Sequence, residues 1–340
     1  MTMPSLLHRF TRLVAIVAAL FGIAAPAAAQ TDIQLSQFYE VPSLYNAAAI
    51  GLSDNVRVRL GGRLQWLGID NAPKAFLGTA DMPFKFLGKR FGVGIAVSQE
   101  SAGLYKSLNI GAQLAFKFKK WGGEWSIGVQ PGFYDQAFKG SEVFIPDDDD
   151  YHQSSDEGIP TSDIHGSTFD IAAGIHYKHK YFAVGVSATH LTSPSIKLDA
   201  AAGSGDTGST DAASERYYEF KARRTLYFIA EGNIPIKNTL FEIAPALLVK
   251  SDFTFTTGEA HLRGRYNKMF SFGIGYRYDD ALIFSIAADI KNFHIGYSYD
   301  YATSAIHKAS SGSHEISLGY CFKLNLGDKN LNRHKSIRIM

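Results

Sequence analysis

The 340-residue chain carries a formal net charge of +2, so a general electrostatic attraction to nucleic acid is not indicated. Its single cysteine, Cys321, excludes a disulfide within the chain. After residue 30 no run approaches the roughly 18 apolar residues of a membrane-spanning helix, whereas 13% aromatic residues and 32 glycines suit closely packed strands.

The N-terminal residues have the pattern of a signal peptide. His8, Arg9 and Arg12 form a positive region, followed by an apolar core of signal-peptide length, LVAIVAALFGIAA. The next stretch, APAAAQ, ends in small residues suited to cleavage before Gln30. A first transmembrane helix is the alternative, but the apolar run is short for a bilayer of about 30 Å. We therefore expect residues 1–29 to direct export and to be removed.

Residues 30–53 precede the first predicted strand. Their sequence mixes polar and aromatic side chains without the alternation of a strand, as in TDIQLSQFYEVPSLYNAAAIGLS (31–53). This N-terminal segment is predicted either to plug the interior of a barrel or to pack on its periplasmic rim.

The remaining chain shows period-two alternation of apolar and polar residues, which is typical of β-strands. In the run at 108–119, Leu108, Ile110 and Leu114 face one side, while Asn109 and Gln113 face the other. The alternation predicts about fourteen strands. They cover residues 54–67, 74–83, 90–99, 106–119, 124–137, 166–178, 180–191, 217–232, 239–251, 252–264, 268–279, 281–290, 291–302 and 313–323.

Two features favour a membrane barrel over a soluble β-sandwich. The less apolar strand face is rich in Gly, Ala, Ser and Asn, which suits a crowded barrel interior with the apolar face in lipid. Many runs are about 10–12 residues long, enough for a tilted strand to cross a bilayer, against about 5–6 in soluble proteins. We expect an all-β fold, a transmembrane antiparallel up-and-down β-barrel at 54–323, with a basic periplasmic tail at 324–340.

The lengths of the predicted connections alternate along the chain. With both barrel ends in the periplasm, the even-numbered connections are short turns, and the odd-numbered ones include the three longest, 138–165, 192–216 and 303–312. Lysines mark the short turns, whereas aspartates are frequent in the long loops. This pattern predicts long extracellular loops and an outer-membrane location, with membrane lipid around the barrel.

The first predicted strand carries a row of arginines. Arg57, Arg59 and Arg63 share one face, and Val58 and Leu60 lie on the other. An arginine that faced lipid at the bilayer midplane would cost about 2–4 kcal/mol, so the row is predicted to face the lumen. It is either a structural ladder that holds the N-terminal segment through acidic partners, or a binding site for an anionic chain end.

The predicted loop at 138–165 contains an acidic stretch, PDDDDYHQSSDEG (146–158). Its carboxylates suit a divalent cation, although the spaced acidic pattern of a calcium loop is absent. The alternative is a solvated surface loop kept extended by its own charge. Under both interpretations, the same five residues are candidate extracellular contacts with a partner protein. These are Asp147, Asp148, Asp149, Asp150 and Tyr151.

The sequence predicts no catalytic site, cofactor or metal. It contains no HExxH motif, no paired cysteines and no GxSxG nucleophile motif. The glycine runs at 92–94 and 273–275 lie within predicted strands, so they suit a crowded barrel better than a phosphate-binding loop. His176 and His294 lie on polar strand faces and are predicted to line the lumen. A barrel hydrolase that uses an unmarked Ser or His is the least favoured alternative.

Two stretches resemble the PorP/SprF family. VPSLYNAAAIG (41–51) is similar to its segment Asn-Pro-x-x-x-Asn-Pro-Ala-x-x-Gly, with Val41 and Ala47 in place of the first Asn and the second Pro. RLQWLGIDNAPKAFLGTADMPF (63–84) resembles its motif Arg-x-Gln-Trp, then Gly-x-Asp-x-Ala-Pro-Lys and Ala-Asp-x-Pro. The matching residues that we take as the family motif are Pro42, Asn46, Gly51, Arg63, Gln65, Trp66, Asp70, Pro73, Lys74, Asp81 and Pro83.

The resemblance, which continues at 276–300 and 314–320, implies an outer-membrane β-barrel of the type IX secretion system. It implies a non-enzymatic role in the secretion or surface anchoring of large proteins such as gliding adhesins. The implied partners are a secreted surface protein with a C-terminal secretion domain and other type IX secretion components. The alternative function is an outer-membrane transport channel for small hydrophobic or ionic solutes, which the arginine row would suit.

Overall fold

The computed structural model describes residues 32–143, 160, 162–200 and 218–323. The predicted signal peptide (1–29), the acidic contacts Asp147 to Tyr151 and the basic tail (324–340) lie outside these residues. The described residues contain seventeen strands in one antiparallel arrangement. In chain order they are β1 (Asn55–Leu64), β2 (Lys74–Phe86), β3 (Lys89–Ala102), β4 (Tyr105–Lys120), β5 (Gly123–Lys139), β6 (Asp163–Lys178), β7 (Phe182–Thr189), β8 (Ser195–Ala200), β9 (Tyr218–Lys221), β10 (Thr225–Gly232), β11 (Ile234–Pro235), β12 (Phe241–Ser251), β13 (Thr256–Tyr266), β14 (Phe270–Arg277), β15 (Ala281–Ile290), β16 (Phe293–Ala302) and β17 (Ser313–Lys323).

Fourteen of these strands form a closed barrel wall, because β8 and β9 form a hairpin that pairs with the wall only at the start of β6, and β11 only extends β10 along β12. The wall closes where β1 pairs with both β2 and β17. In the closing register Arg59 lies opposite Gly319, and Arg63 lies opposite Glu315. The predicted all-β, up-and-down barrel of about fourteen strands is therefore confirmed.

One predicted strand is divided in the structure. The run at 217–232 becomes β9, which pairs with β8, and β10, which enters the wall beside β7 and β12. Between them the Ala222 amide donates to the Pro194 carbonyl, so the chain turns from the hairpin to the wall. The hairpin packs on the lumen side of β5 and β6. Its small core consists of Tyr134, Ile164, Ile196, Leu198 and Ala222.

The outer face of the barrel is apolar. Leu262 is 60% exposed and Ile274 is 59% exposed, although both lie in the middle of wall strands. Along β13, Leu262 alternates with the buried residues His261 and Arg263, so the polar side chains point into the lumen. Soluble monomers rarely expose so wide an apolar surface, whereas a barrel in a bilayer requires it.

The two rims of the barrel differ. Short connections join the strands on one side, which we call the short-turn rim, as after β2, β4 and β15. The longest connections, after β1, β5, β7 and β16, lie on the opposite, long-loop rim, which also has the short turn after β3. At the short-turn rim Trp121 contacts Trp125 edge-on, and the Lys120 ammonium lies 4.8 Å from the Trp121 ring centroid. Phe293 and Tyr320 form another aromatic pair there. Such aromatic girdles are typical of strands that end at a membrane–water interface.

Helical structure is sparse. Two 3₁₀ turns, Phe38–Glu40 and Ala47–Ala49, flank the single-turn helix α1 (Pro42–Tyr45), and two others lie at Gly140–Glu142 and Ala305–Lys308. Within the described part of the chain, no helix is long and apolar enough to cross a bilayer.

Residues 32–53 occupy the lumen, and we call them the lumen plug. Asp32 contacts Thr189 and His190 at the long-loop end of β7. At the other end, the Gly51 amide donates to Asp81 near the β2–β3 turn, after which the chain enters β1. The plug therefore runs through the barrel from the long-loop rim towards the short-turn rim.

Candidate functional site

The three arginines of β1 lie on its lumen face, and each contacts a carboxylate. Arg57 Nη2 lies 3.1 Å from Asp81 Oδ2 on the neighbouring strand. Arg59 Nη2 lies 4.0 Å from Glu40 Oε2 of the lumen plug. Arg63 is 3% exposed and approaches two carboxylates, as described next.

Arg63 belongs to a buried group of five charged residues. Its Nη2 lies 2.7 Å from Asp300 Oδ2, and its Nη1 lies 3.3 Å from Glu315 Oε2. Arg277 Nε lies 2.6 Å from Glu259 Oε2, and its Nη1 lies 3.0 Å from Asp300 Oδ2. Charges removed from water are tolerated only with such close opposite partners. We call Arg63, Glu259, Arg277, Asp300 and Glu315 the charged wall cluster.

The plug docks on this cluster through Ser36 and Gln37. The Ser36 hydroxyl accepts hydrogen bonds from Arg63 (2.8 Å) and Arg277 (2.7 Å) and donates to the Asp300 carboxylate. The backbone amides of Ser36 and Gln37 donate to the two oxygens of Glu315, at 2.7 and 2.8 Å. One hydroxyl and two amides of the plug thus complete the coordination of the wall charges.

Glu40, which follows Ser36 and Gln37 in the plug, makes a second set of contacts with the wall. It lies 3.4 Å from Arg263 and 3.5 Å from His294, in addition to its contact with Arg59. The Arg263 guanidinium also lies over the ring of Tyr39, 3.4 Å from its centroid. These contacts hold the middle of the plug against β1, β13 and β16.

The first residue of the plug is held by a separate polar group at the long-loop rim. Asp32 accepts hydrogen bonds from the Tyr227 hydroxyl at 2.5 Å and from the Thr189 hydroxyl at 3.0 Å. His190 Nε2 lies 2.8 Å from Asp32, and His190 Nδ1 lies 2.8 Å from Asp170. The imidazole is therefore placed between two carboxylates, and we call these five residues the outer latch.

The outer latch is an ion pair. Burial would lower the pKa of His190, but Asp32 and Asp170 outweigh it and raise that pKa to about 10. Burial would raise the pKa of Asp32, but His190, Lys250 and Tyr227 hold it well below its usual range. Both groups are thus charged at neutral pH.

The two motif stretches meet inside the barrel. The Asn46 side chain accepts from the Ala48 amide at 2.8 Å, and its amide group donates to the Ile175 carbonyl at 3.1 Å. Gly51 has a φ of 57°, and a Cβ there would lie 2.9 Å from Gly92 Cα and 3.3 Å from Pro83 Cα. The Gly51 amide donates to Asp81, which also accepts from Arg57. Glycine fits because a side chain would strain the backbone and strike the wall.

The rest of the motif lies in the β1–β2 connection. The Gln65 amide donates to the Pro73 carbonyl, and the Trp66 amide donates to the Ser313 hydroxyl. Asp70 is exposed at the tip of this connection, and Lys74 begins β2. Pro42 occupies the first turn of α1, where its missing amide hydrogen costs nothing. The motif is thus divided between the plug, the wall and a long-loop rim connection.

Several site residues were not singled out in the sequence. Arg277, Asp300 and Glu315 fall on the polar faces of predicted strands, which is the one signal available for them. Their mutual contacts depend on the register of distant strands, which alternation does not specify. His176 and His294 are buried in the lumen. Among the described residues, no three His, Cys, Asp or Glu side chains are arranged to hold a metal ion.

Comparisons with solved structures return other barrels. Omp33 of Acinetobacter baumannii matches with a TM-score of 0.41 and 9% identity, over 81% of this chain and 100% of that chain. The toluene transporter TodX of P. putida matches with a TM-score of 0.46 and 9% identity, over 83% of this chain and 94% of that chain. A FadL homologue of Pseudomonas aeruginosa matches with a TM-score of 0.41 and 11% identity, over 83% of this chain and 93% of that chain. A comparison with curated proteins found no match.

The family comparison is specific. Residues 27–320 match the family described as type IX secretion system membrane protein PorP/SprF. The match spans the lumen plug and nearly the whole barrel wall, and it includes both motif stretches. It agrees with the apolar outer face and the closed wall in placing the protein in the outer membrane. The chain belongs to the PorP/SprF family of type IX secretion system membrane proteins.

Proposed function

We propose that this barrel is a non-enzymatic outer-membrane component that aids the secretion or surface anchoring of large proteins, such as gliding adhesins. The observation that carries the proposal is the family match over residues 27–320. The client is a surface protein with a C-terminal secretion domain, and other secretion components bind the barrel as well. The long connections after β5 and β7 are the proposed client contacts, including Asp147 to Asp150 and Tyr151.

Deletion of the gene tests this proposal. Cells that lack the barrel are expected to lose one or more proteins with a C-terminal secretion domain from the surface, as measured by protease shaving and mass spectrometry. A wild-type copy expressed from a plasmid should restore them. Unchanged surface display of every such protein would contradict the proposal.

A channel for small solutes is the second candidate. Beside the plug lies a cavity of about 40 Å³, lined by Ser98, Asn109, Gln130, Tyr45 and Tyr227 among others, which has room for only a few water molecules, so a channel requires the plug to move. Bilayer conductance of the purified protein separates the two functions. Steady conductance with an intact plug would support the channel, whereas closed behaviour together with loss of client display in the deletion strain would support the secretion role.

A further inference from the structure

The lumen plug presents two chemically different sides to the barrel. Ser36, Gln37 and Glu40 face charged residues of the wall. Leu35 and Val41 cluster with an apolar part of the wall, formed by β2, β10 and β12, that adjoins the charged residues. We call this part the apolar wall patch, and it consists of Ala75, Leu77, Tyr227, Ile229, Ala246 and Leu248. The lumen therefore presents charged and apolar wall residues side by side, and both kinds are complementary to a short peptide.

The arginines of the charged wall cluster are paired with wall carboxylates as well as with the plug, whereas Arg59 and Arg263 contact the carboxylate of Glu40 in the plug. Arg63 has Asp300 and Glu315 as wall partners, and Arg277 has Glu259 and Asp300. In the outer latch, His190 would still contact the carboxylate of Asp170 if Asp32 left with the plug. These charges would thus keep an opposite wall charge if the plug left. The plug supplies hydrogen-bond partners to a wall cluster that is already close to neutral.

No strand pairing joins the plug to the wall within the described residues. The contacts are side-chain hydrogen bonds, ion pairs and apolar packing, which another peptide is able to reproduce. The packing is also incomplete on one side, where the 40 Å³ cavity adjoins Asp32 and Tyr45. This side is the weakest part of the plug–wall contact.

We propose that the lumen is a peptide-binding site and that the lumen plug is its resident, replaceable ligand. The class of ligand is a peptide that offers a hydroxyl and two free backbone amides to the charged wall cluster. It also offers apolar side chains to the apolar wall patch, in the pattern of IQLSQFYE (33–40). The inference rests on the geometry of the lumen and does not depend on the secretion role.

A peptide-binding measurement on the full-length protein in detergent tests the proposal. The probe is a fluorescent peptide with the sequence of residues 32–51, and its polarisation reports binding. The double substitution Asp32→Ala and Ser36→Ala weakens the plug at the outer latch and at the charged wall cluster. Because apparent affinity scales with the fraction of empty lumen, the double variant should bind at least about tenfold more tightly than the wild type.

Two controls define the result. Gln136→Ala changes a buried lumen residue whose hydrogen bonds are with Tyr134 and Ala137, so it should bind the peptide as the wild type does. A scrambled peptide should not bind to any variant. Equal binding of the scrambled and native peptides would overturn the proposal. So would absence of binding to a double variant whose gel mobility shows a folded barrel.

Hydrogen exchange of the wild-type protein gives a test that needs no variant. The Ser36 and Gln37 amides donate to Glu315 and should exchange slowly while the plug is docked. An excess of the 32–51 peptide should speed their exchange severalfold, and the scrambled peptide should not. Unchanged exchange at saturating peptide would mean that the plug is a fixed part of the barrel, which would overturn the proposal.

Discussion

At the scale of single residues, Arg63 connects the wall to the plug. Its guanidinium contacts Asp300 and Glu315 and donates to the Ser36 hydroxyl, and it is almost fully buried. We expect Arg63→Met to lower the free energy of unfolding by about 3–5 kcal/mol, because Glu315 would lose its cation in a buried site. The measurement is the midpoint of urea unfolding followed by heat-modifiable gel mobility.

A surface ion pair provides the matched control for Arg63. Lys139 lies 2.6 Å from Glu142, with side chains that are 43% and 48% exposed. Because water screens this pair, Lys139→Ala should change stability by no more than about 1 kcal/mol. If Arg63→Met and Lys139→Ala lowered the free energy of unfolding equally, burial of the charged wall cluster would have no special effect on stability.

His190 predicts a pH dependence whose sign follows from its pKa. The native pKa is about 10 against an ordinary 6.5, so the stabilisation is complete below about pH 6.5 and is lost as pH rises through 10. Asp32 stays ionised throughout this range, because its pKa is lowered. The difference in unfolding midpoint between the wild type and His190→Gln should therefore be largest near pH 6 and should vanish above pH 10.

The His190 measurement is a series of unfolding curves at several pH values for both proteins. The His190→Gln variant provides the baseline for the wild type, because groups elsewhere in the barrel titrate equally in the two proteins. A difference that stays constant from pH 6 to 10 would contradict a charged imidazole between Asp32 and Asp170.

At the scale of elements, the β8–β9 hairpin is a separate packing unit on the lumen side of the long-loop rim. Ile196 is 1% exposed within its core. A carboxylate there would have no partner, so Ile196→Asp should detach the hairpin and leave the barrel wall paired. Added protease should then cut the β7–β10 connection several times faster, as seen by gel electrophoresis of intact cells.

Leu191 in the same connection provides the control for the hairpin. It is 37% exposed, so Leu191→Asp places the same charge in contact with water. Its cleavage rate should match that of the wild type. Loss of the folded barrel band in Ile196→Asp would instead show that the hairpin is required for the wall to form.

At the scale of the whole molecule, the outer face makes a prediction about depth in the bilayer. Leu262 lies near the middle of β13, whereas Tyr266 ends the same strand at the short-turn rim. Leu262→Lys should cost about 2–4 kcal/mol of folding free energy in vesicles, and Tyr266→Lys about 0–1 kcal/mol. Urea titration of folding into vesicles measures both. Equal costs would contradict the assignment of this face to lipid.

Much of the wall was predictable from the chain because alternation is a local property. The alternation in the predicted strand at 291–302 places Tyr297 and Tyr301 outside and Ser298 and Asp300 inside, as the structure shows. The run at 180–191 is shorter in the structure, since β7 ends at Thr189 and His190 has a φ of 51°. A single residue with a left-handed backbone conformation does not change the hydrophobic periodicity of the sequence. The end of this strand could therefore not be predicted.

The sequence by itself determined the compartment, the strand alternation, the asymmetry of the rims and the family, because each depends on residues that are close together in the chain. Only the tertiary structure decided that the plug lies in the lumen and which charges meet there. Arg63, Arg277, Asp300 and Glu315 come from four strands, and Asp32 and His190 are far apart in sequence. Their contacts arise from barrel closure and strand register, which set distances between residues that no local pattern relates.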